Sequence, residues 1–75
     1  MLEAKTEKEI AEDLLNNTKN ELMANKIEEK YLVQQTIIKK AGSSNYELSL
    51  GVVQRKIREL EKRLTFLDGY LKELK

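Results

Sequence analysis

The sequence predicts an all-α protein, a helical hairpin whose two long helices pack through a coiled-coil-like seam. Composition is the first indication, because the 75 residues include no proline, three glycines and 36% charged residues. Such a composition, rich in Lys, Glu and Leu, favours helices. The second is an apolar repeat with alternating spacings of four and three in the C-terminal half. The third is a short turn signal before that repeat. We expect one domain over residues 1–75, with helices at about 6–41 and 46–75 and a turn at 42–45.

The small size of the chain indicates that this hairpin is completed by self-association or by a partner. A chain of this length buries only about 60% of its unfolded surface, which leaves a thin core. Small proteins often compensate with disulfides, metals or oligomerisation. The sequence has no cysteine and no histidine, so disulfides and the usual zinc sites are excluded. Oligomerisation, or docking on a larger protein, is the remaining source of stability.

The C-terminal repeat is the clearest feature, because it continues through four heptads without a break. A helix with this pattern buries one narrow apolar stripe. Val52 and Phe66 lie beside the stripe, and we expect them to widen it. We also expect Tyr70 to be an exposed contact. The predicted helix-packing and partner interface therefore comprises Tyr46, Leu50, Val53, Ile57, Leu60, Leu64, Leu67, Tyr70, Leu71 and Leu74.

Capping signals mark the helix boundaries. Ser44 and Glu47 fit a capping box, in which the hydroxyl accepts from one backbone N–H and the carboxylate reaches back to another. Thr6 and Glu9 fit a second box at the start of the first helix. Gly42 follows two lysines and suits the left-handed end of a helix. These signals place a tight turn between two helices.

The first helix is less regular, and its sequence leaves two alternatives open. Ile10, Ala11, Leu14, Leu15 and Leu22 share one face, with Thr18 among them. Further along, the apolar residues move to a different face. Either one continuous helix wraps around its partner, or the helix is kinked or broken near Asn25. The second apolar face consists of Met23, Ile27, Tyr31 and Ile38.

A β-hairpin is an alternative for part of the chain. Residues 31–38 are uncharged and rich in β-branched side chains, and residues 46–50 alternate between apolar and polar. The two segments could pair, and the last helix would then begin near Ser49. The helical interpretation is favoured because Tyr46 and Leu50 continue the heptad repeat.

Charges beside the repeat are candidates for setting the orientation of a partner helix. Lys56 and Arg63 lie on one flank, and Glu61 and Asp68 lie on the other. In a parallel pair of identical helices, each cation would meet an acid of the other copy. In a hairpin the first helix would cover the apolar stripe, whereas in a parallel pair a second copy of the chain would cover it. A four-helix dimer of hairpins satisfies both arrangements in part, because each helix then has two neighbours. The alternative is that the charges form only intrahelical surface pairs, Glu59–Arg63 and Asp68–Lys72.

Catalytic equipment is absent from the sequence. Without His or Cys, the chain lacks the commonest general base and the thiolate nucleophile. The three glycines are isolated, so no phosphate-binding loop is present. We expect no enzyme, no cofactor, no metal and no small-molecule substrate. The N-terminus lacks the apolar stretch of a signal peptide, and no segment is long enough to span a membrane. We therefore expect a cytoplasmic structural or adaptor protein whose partner is another protein.

A nucleic-acid-associated or regulatory role is the alternative function. Arg55, Arg58 and Lys62 share the face opposite the repeat and could contact phosphates. Glu59 and Glu61 interrupt that face, and the net charge of the chain is only +1. Domains that bind nucleic acid are usually strongly basic. Nucleic acid is therefore the disfavoured partner.

Residues 41–46 (Ala-Gly-Ser-Ser-Asn-Tyr), with Arg55 and the Leu60-Glu61 pair after them, resemble small phage head–tail joining and neck proteins. Those proteins often combine an N-terminal helix, a Gly/Ser-rich joint ending in Tyr, and an amphipathic helix. The resemblance covers about a third of the chain. It implies a role in virion assembly and a location in the virion. Members commonly carry a short β-hairpin before the last helix, which only the strand alternative would provide here.

Overall fold

The computed structural model describes residues 4–38 and 44–74, which form two antiparallel α-helices. Helix α1 spans Glu7–Ile38 and helix α2 spans Ser44–Glu73. The all-α helical hairpin predicted from the sequence is confirmed. The expected turn at Gly42, the two lysines before it and the capping interactions of the Ser44 side chain lie outside the described residues.

The described residues contain no strand, so the β-hairpin alternative is wrong. Residues 31–38 form the last turns of α1, and residues 46–50 belong to α2. β-Branched residues lower helix propensity by only a few tenths of a kcal/mol each, roughly. Leu32, which is buried against α2, repays that cost by packing.

Helix α1 is continuous, and the expected alternative of a break near Asn25 is wrong. The Asn25 side chain donates from Nδ2 to the backbone oxygen of Glu21 at 2.8 Å, one turn earlier in the same helix. Thr18 does the same with the Leu14 oxygen at 2.7 Å. These bonds satisfy the polar side chains inside the helix, so neither residue needs to interrupt it.

Helix α1 has a packing stripe of its own, with the same alternating spacings of four and three as in α2. Polar residues occupy half of its positions, which explains why apolar periodicity did not reveal it. The described side chains on it are all buried or half-buried, whereas their neighbours on either side are mostly exposed. The stripe comprises Ala11, Leu15, Thr18, Leu22, Asn25, Glu29, Leu32 and Thr36.

The core lies where the two stripes meet. Leu22 of α1 packs with Ile57 and Leu60 of α2, and Val53 and Leu64 pack against this group. Leu60 is the most buried of them, with 2% of its surface exposed. All nine members of the heptad repeat, which runs from Tyr46 to Leu74, are buried or half-buried. The predicted repeat is therefore the face that α2 presents to α1.

Two residues expected to widen this face do not. Val52 is 59% exposed and Phe66 is 65% exposed. Ile10 and Leu14, which the sequence places on one face with Ala11 and Leu22, are also about half exposed. A single partner helix covers only a narrow stripe, and side chains one step outside that stripe remain in water.

The hairpin is one helix layer thick. Its principal extents are 57 × 28 × 14 Å, and its radius of gyration is 17.1 Å. A compact domain of 75 residues has a radius of gyration of about 11 Å. Stable domains usually bury their apolar faces between at least two layers. The shape therefore leaves both broad sides of the hairpin uncovered.

The predicted capping box at the start of α1 is formed. The Thr6 backbone N–H donates to Glu9 Oε1 at 2.9 Å, and the Glu9 backbone N–H donates to Thr6 Oγ1 at 3.1 Å. The backbone bond from Thr6 is the main cause that lowers the pKa of Glu9, and the Thr6 side chain adds to it. The ionised carboxylate therefore stabilises the helix above the usual glutamate pKa, and this contribution is lost as the pH falls through the lowered pKa.

Thr6→Ala is expected to lower the free energy of unfolding by about 1 kcal/mol, because the Glu9 N–H loses its acceptor. Thermal unfolding followed by circular dichroism would measure the change. Thr65→Ala is the matched control, since its hydroxyl only donates to the Glu61 backbone oxygen at 3.1 Å within α2. Equal destabilisation by the two variants would contradict a specific role for the box.

Candidate helix-docking surface

An open apolar cleft of about 580 Å³ lies between the start of α1 and the end of α2. Because the helices are antiparallel, these two ends meet at the end of the hairpin away from Ile38 and Ser44. Phe66 and Tyr70, one turn apart, stack with ring centroids 5.8 Å apart and form one wall. The lining residues are Glu7, Ile10, Ala11, Leu14, Phe66, Leu67 and Tyr70.

The structure reverses two expectations about these aromatic residues. Phe66 was expected in the core but is largely exposed, and Tyr70 was expected to be the exposed contact but is half-buried. Tyr70 precedes the stripe residue Leu71 and therefore lies at the edge of the helix interface. Phe66 lies one step further out. It covers Tyr70 and leaves its own outer surface to solvent.

A charged cleft continues along the same side of the hairpin, towards the end where Ile38 and Ser44 lie. Lys56 and Glu21 face each other across the two helices, with Nζ and Oε2 separated by 3.4 Å. The lining residues are Glu21, Val52, Arg55, Lys56, Glu59, Leu60 and Arg63. Residues that line one cleft are separated by seven residues, the length of a heptad, from residues that line the other. The two clefts therefore lie on the same side of the hairpin. We call this the cleft side and define it by Glu7, Ile10, Leu14 and Glu21 of α1 and Val52, Lys56, Glu59, Arg63, Phe66 and Tyr70 of α2.

Two of the four charges expected to set orientation, Lys56 and Asp68, have partners inside the chain. Lys56 pairs with Glu21 of α1, a partner that the residue pattern of α2 does not indicate. Asp68 and Lys72 form the predicted intrahelical pair at 3.2 Å. Glu59 lies 3.7 Å from Lys62 rather than pairing with Arg63. These groups are well exposed, so each pair contributes less than about 1 kcal/mol.

The opposite side of the hairpin is mostly polar, and the exposed Val33, seven residues after Lys26, is an apolar residue on it. Intervals of seven place Glu12, Lys19 and Lys26 of α1 there, together with Glu61 and Asp68 of α2. All five side chains are exposed. The cleft side is therefore the more apolar of the two broad sides.

The outer edge of α1 carries a second group of exposed apolar side chains. Met23 and Ile27 are each 60% exposed, and Tyr31 is 51% exposed. Intervals of four residues place them on the face of α1 that points away from α2. They form the second apolar face seen in the sequence, and the hairpin does not cover it.

The cations proposed as an alternative contact for nucleic acid lie on the outer face of α2. Arg55, Arg58 and Lys62 are exposed, and Lys62 has Glu59 as its neighbour. Arg55 also borders the charged cleft. Acidic side chains therefore interrupt this face in the structure as they do in the sequence.

Within residues 4–38 and 44–74, His, Cys, Asp and Glu side chains do not gather in a group of three that could hold a metal ion. Over the same residues, neither helix contains a stretch that is both long enough and apolar enough to cross a bilayer.

Comparisons with known proteins return no match. No family model, no curated protein and no solved structure is similar enough to this chain to match it.

Proposed function

We propose that this protein is a non-enzymatic structural or adaptor subunit that docks the cleft side of its hairpin on another protein chain. One observation carries the proposal: the described residues expose more large apolar side chains than they bury. Six apolar residues form the core, one of them an alanine, whereas eleven large apolar residues are exposed. Extended exposed apolar patches are typical of interaction sites.

The exposed area supports the same proposal. The accessible surface of the chain is 6137 Å². A compact monomer of 8.7 kDa exposes about 4,700 Å². The excess of about 1,400 Å² per chain exceeds the roughly 800 Å² that each partner buries in a standard protein–protein interface. Helix-on-helix packing is the form of contact that such a surface offers, because both helices present long, regular rows of side chains.

A role in virion assembly is the specific form of structural function that we propose first, and the virion would then be its location. This part of the proposal rests on the resemblance of residues 41–46 and the start of α2 to phage joining and neck proteins. A cytoplasmic adaptor is the alternative form. Both forms use the same surface, so one experiment tests the shared function.

A photo-crosslinking amino acid placed at Phe66, in cells that express the full chain, tests the proposal. Phe66 is exposed in the cleft, so we expect covalent adducts with a protein at this position. The same amino acid at Arg58, on the outer face of α2, is the control and should give far fewer adducts. Absence of protein adducts at position 66, or equal adducts at both positions, would overturn the proposed function. Mass spectrometry of the adducts identifies the partner.

A further inference from the structure

We infer that the partner is a second copy of this chain, packed cleft side on cleft side as a symmetric four-helix bundle. The inference rests on the proposed function and names its partner. The dimensions of the hairpin support this inference first, because the hairpin is 28 Å wide and 14 Å thick. Two such layers have a combined thickness equal to their width. That square cross-section is typical of a four-helix bundle.

The area fits a stable dimer. Covering the excess surface of both copies would bury about 2,800 Å² in total, which lies within the range of about 2,000–5,000 Å² for obligate homodimers. The cleft side is the broad side to be covered, because Ile10, Leu14, Phe66 and Val52 lie on it. The opposite side carries exposed charges at the corresponding positions.

The charges select between the two symmetric ways of stacking the hairpins. If the two-fold axis runs across the helices, α1 lies on α1 and α2 lies on α2 of the second copy. Glu21 then lies against α1 of the second copy, which has more acidic than basic side chains. Lys56 approaches Arg63 of that copy, so like charges meet. If the axis runs along the hairpin, each α1 lies on the other chain's α2. Glu21 then faces Lys56 of the second copy, so unlike charges meet.

The same axis also closes the apolar cleft. When Ile38 and Ser44 of both chains lie at the same end, residues at the same level of the two hairpins lie against each other. Ile10 and Leu14 of one chain then cover Phe66 and Tyr70 of the other, and symmetry repeats the contact. The side chains that line the cleft of one copy therefore fill the cleft of the other copy. The exposed aromatic surface at Phe66 thus becomes the central anchor of the interface.

Sedimentation equilibrium of the purified full chain tests the dimer. We expect wild type to be dimeric at micromolar concentration. Phe66→Asp should raise the dissociation constant about 100-fold or more, because the lost anchor occurs twice in the interface. Ile27→Asp is the matched control, since Ile27 is similarly exposed but lies on the outer edge of α1, and it should leave the constant unchanged. A monomeric wild type, or dissociation caused only by Ile27→Asp, would overturn the inference.

Engineered cysteines test the geometry without a competing native thiol, because the sequence contains no cysteine. Mixing Ile10→Cys chains with Phe66→Cys chains should give a disulfide-linked heterodimer on a non-reducing gel. Mixing Ile10→Cys with Gln35→Cys chains should not, because Gln35 follows Glu21 by two heptads on the cleft side and lies at the other end of α1 from Ile10. The reverse result would show the crosswise axis and overturn the proposed arrangement. If the wild type is monomeric and the photo-adducts contain a different protein, the dimer is contradicted but the proposed function is not. If no adducts form, both are contradicted.

Discussion

Leu60→Asp is expected to unfold the hairpin. Leu60 is 2% exposed and packs with Leu22 and Ile57 at the centre of the core. Burial of a leucine contributes about 1.5–3 kcal/mol, and an unpaired carboxylate at the same place costs several kcal/mol more. A 75-residue protein has about 4–11 kcal/mol of stability in total. The variant should therefore lose most of its helical circular dichroism signal at room temperature.

Leu48→Asp is the matched control for Leu60→Asp. It makes the same change in the same helix, but Leu48 is 71% exposed. We expect Leu48→Asp to keep the wild-type spectrum. A wild-type spectrum for Leu60→Asp would mean that the heptad repeat does not hold the two helices together. Such a result would contradict the fold as well as every proposal that depends on its cleft side.

The sequence predicted α2 well because every position of its packing stripe is apolar. The same method failed for α1, where the stripe includes Thr18, Asn25 and Glu29, while Met23 and Ile27 lie on an exposed face. Apolar periodicity records all apolar residues, whichever surface covers them. In α1 two faces contribute to the signal, and their mixture was interpreted as a rotation or a break. The two faces of α1 can be distinguished only in the folded hairpin, where α2 packs against one of them.

The cleft could be predicted only in part. The sequence places Ile10 and Leu14 on one face with Leu22, and it places Phe66 beside the heptad repeat, where core packing was expected for it. That assignment assumes a second layer of structure, and a sequence does not show how many layers cover a helix. The Lys56–Glu21 pair was missed for a related reason, because its register across the hairpin depends on how the two stripes meet. The Thr6–Glu9 capping box, which involves residues three apart, needed no such information and is formed as predicted.

The second large effect concerns the polar positions of the α1 stripe. Asn25→Leu combined with Glu29→Leu is expected to stabilise the hairpin by about 2–3 kcal/mol, since two half-buried polar side chains become apolar ones. The packing of Leu22 with Ile57 places these positions level with Val53 and Leu50, which offer apolar surface. For a chain of this size the melting temperature should rise by about 10 °C or more. Thermal denaturation by circular dichroism at one protein concentration measures the rise.

Asn20→Leu controls for helix propensity, because Asn20 is exposed on the outer face of α1 and gains no packing. It should raise the melting temperature much less than the double variant.

The apolar substitutions in the α1 stripe are also expected to reduce the specificity of helix pairing. Polar residues inside a helix interface restrict the registers and partners that it accepts, because shifting them against apolar positions leaves them unpaired. The double variant should therefore form additional oligomers in sedimentation experiments. A single species with unchanged stability would show that Asn25 and Glu29 do not contribute to the interface.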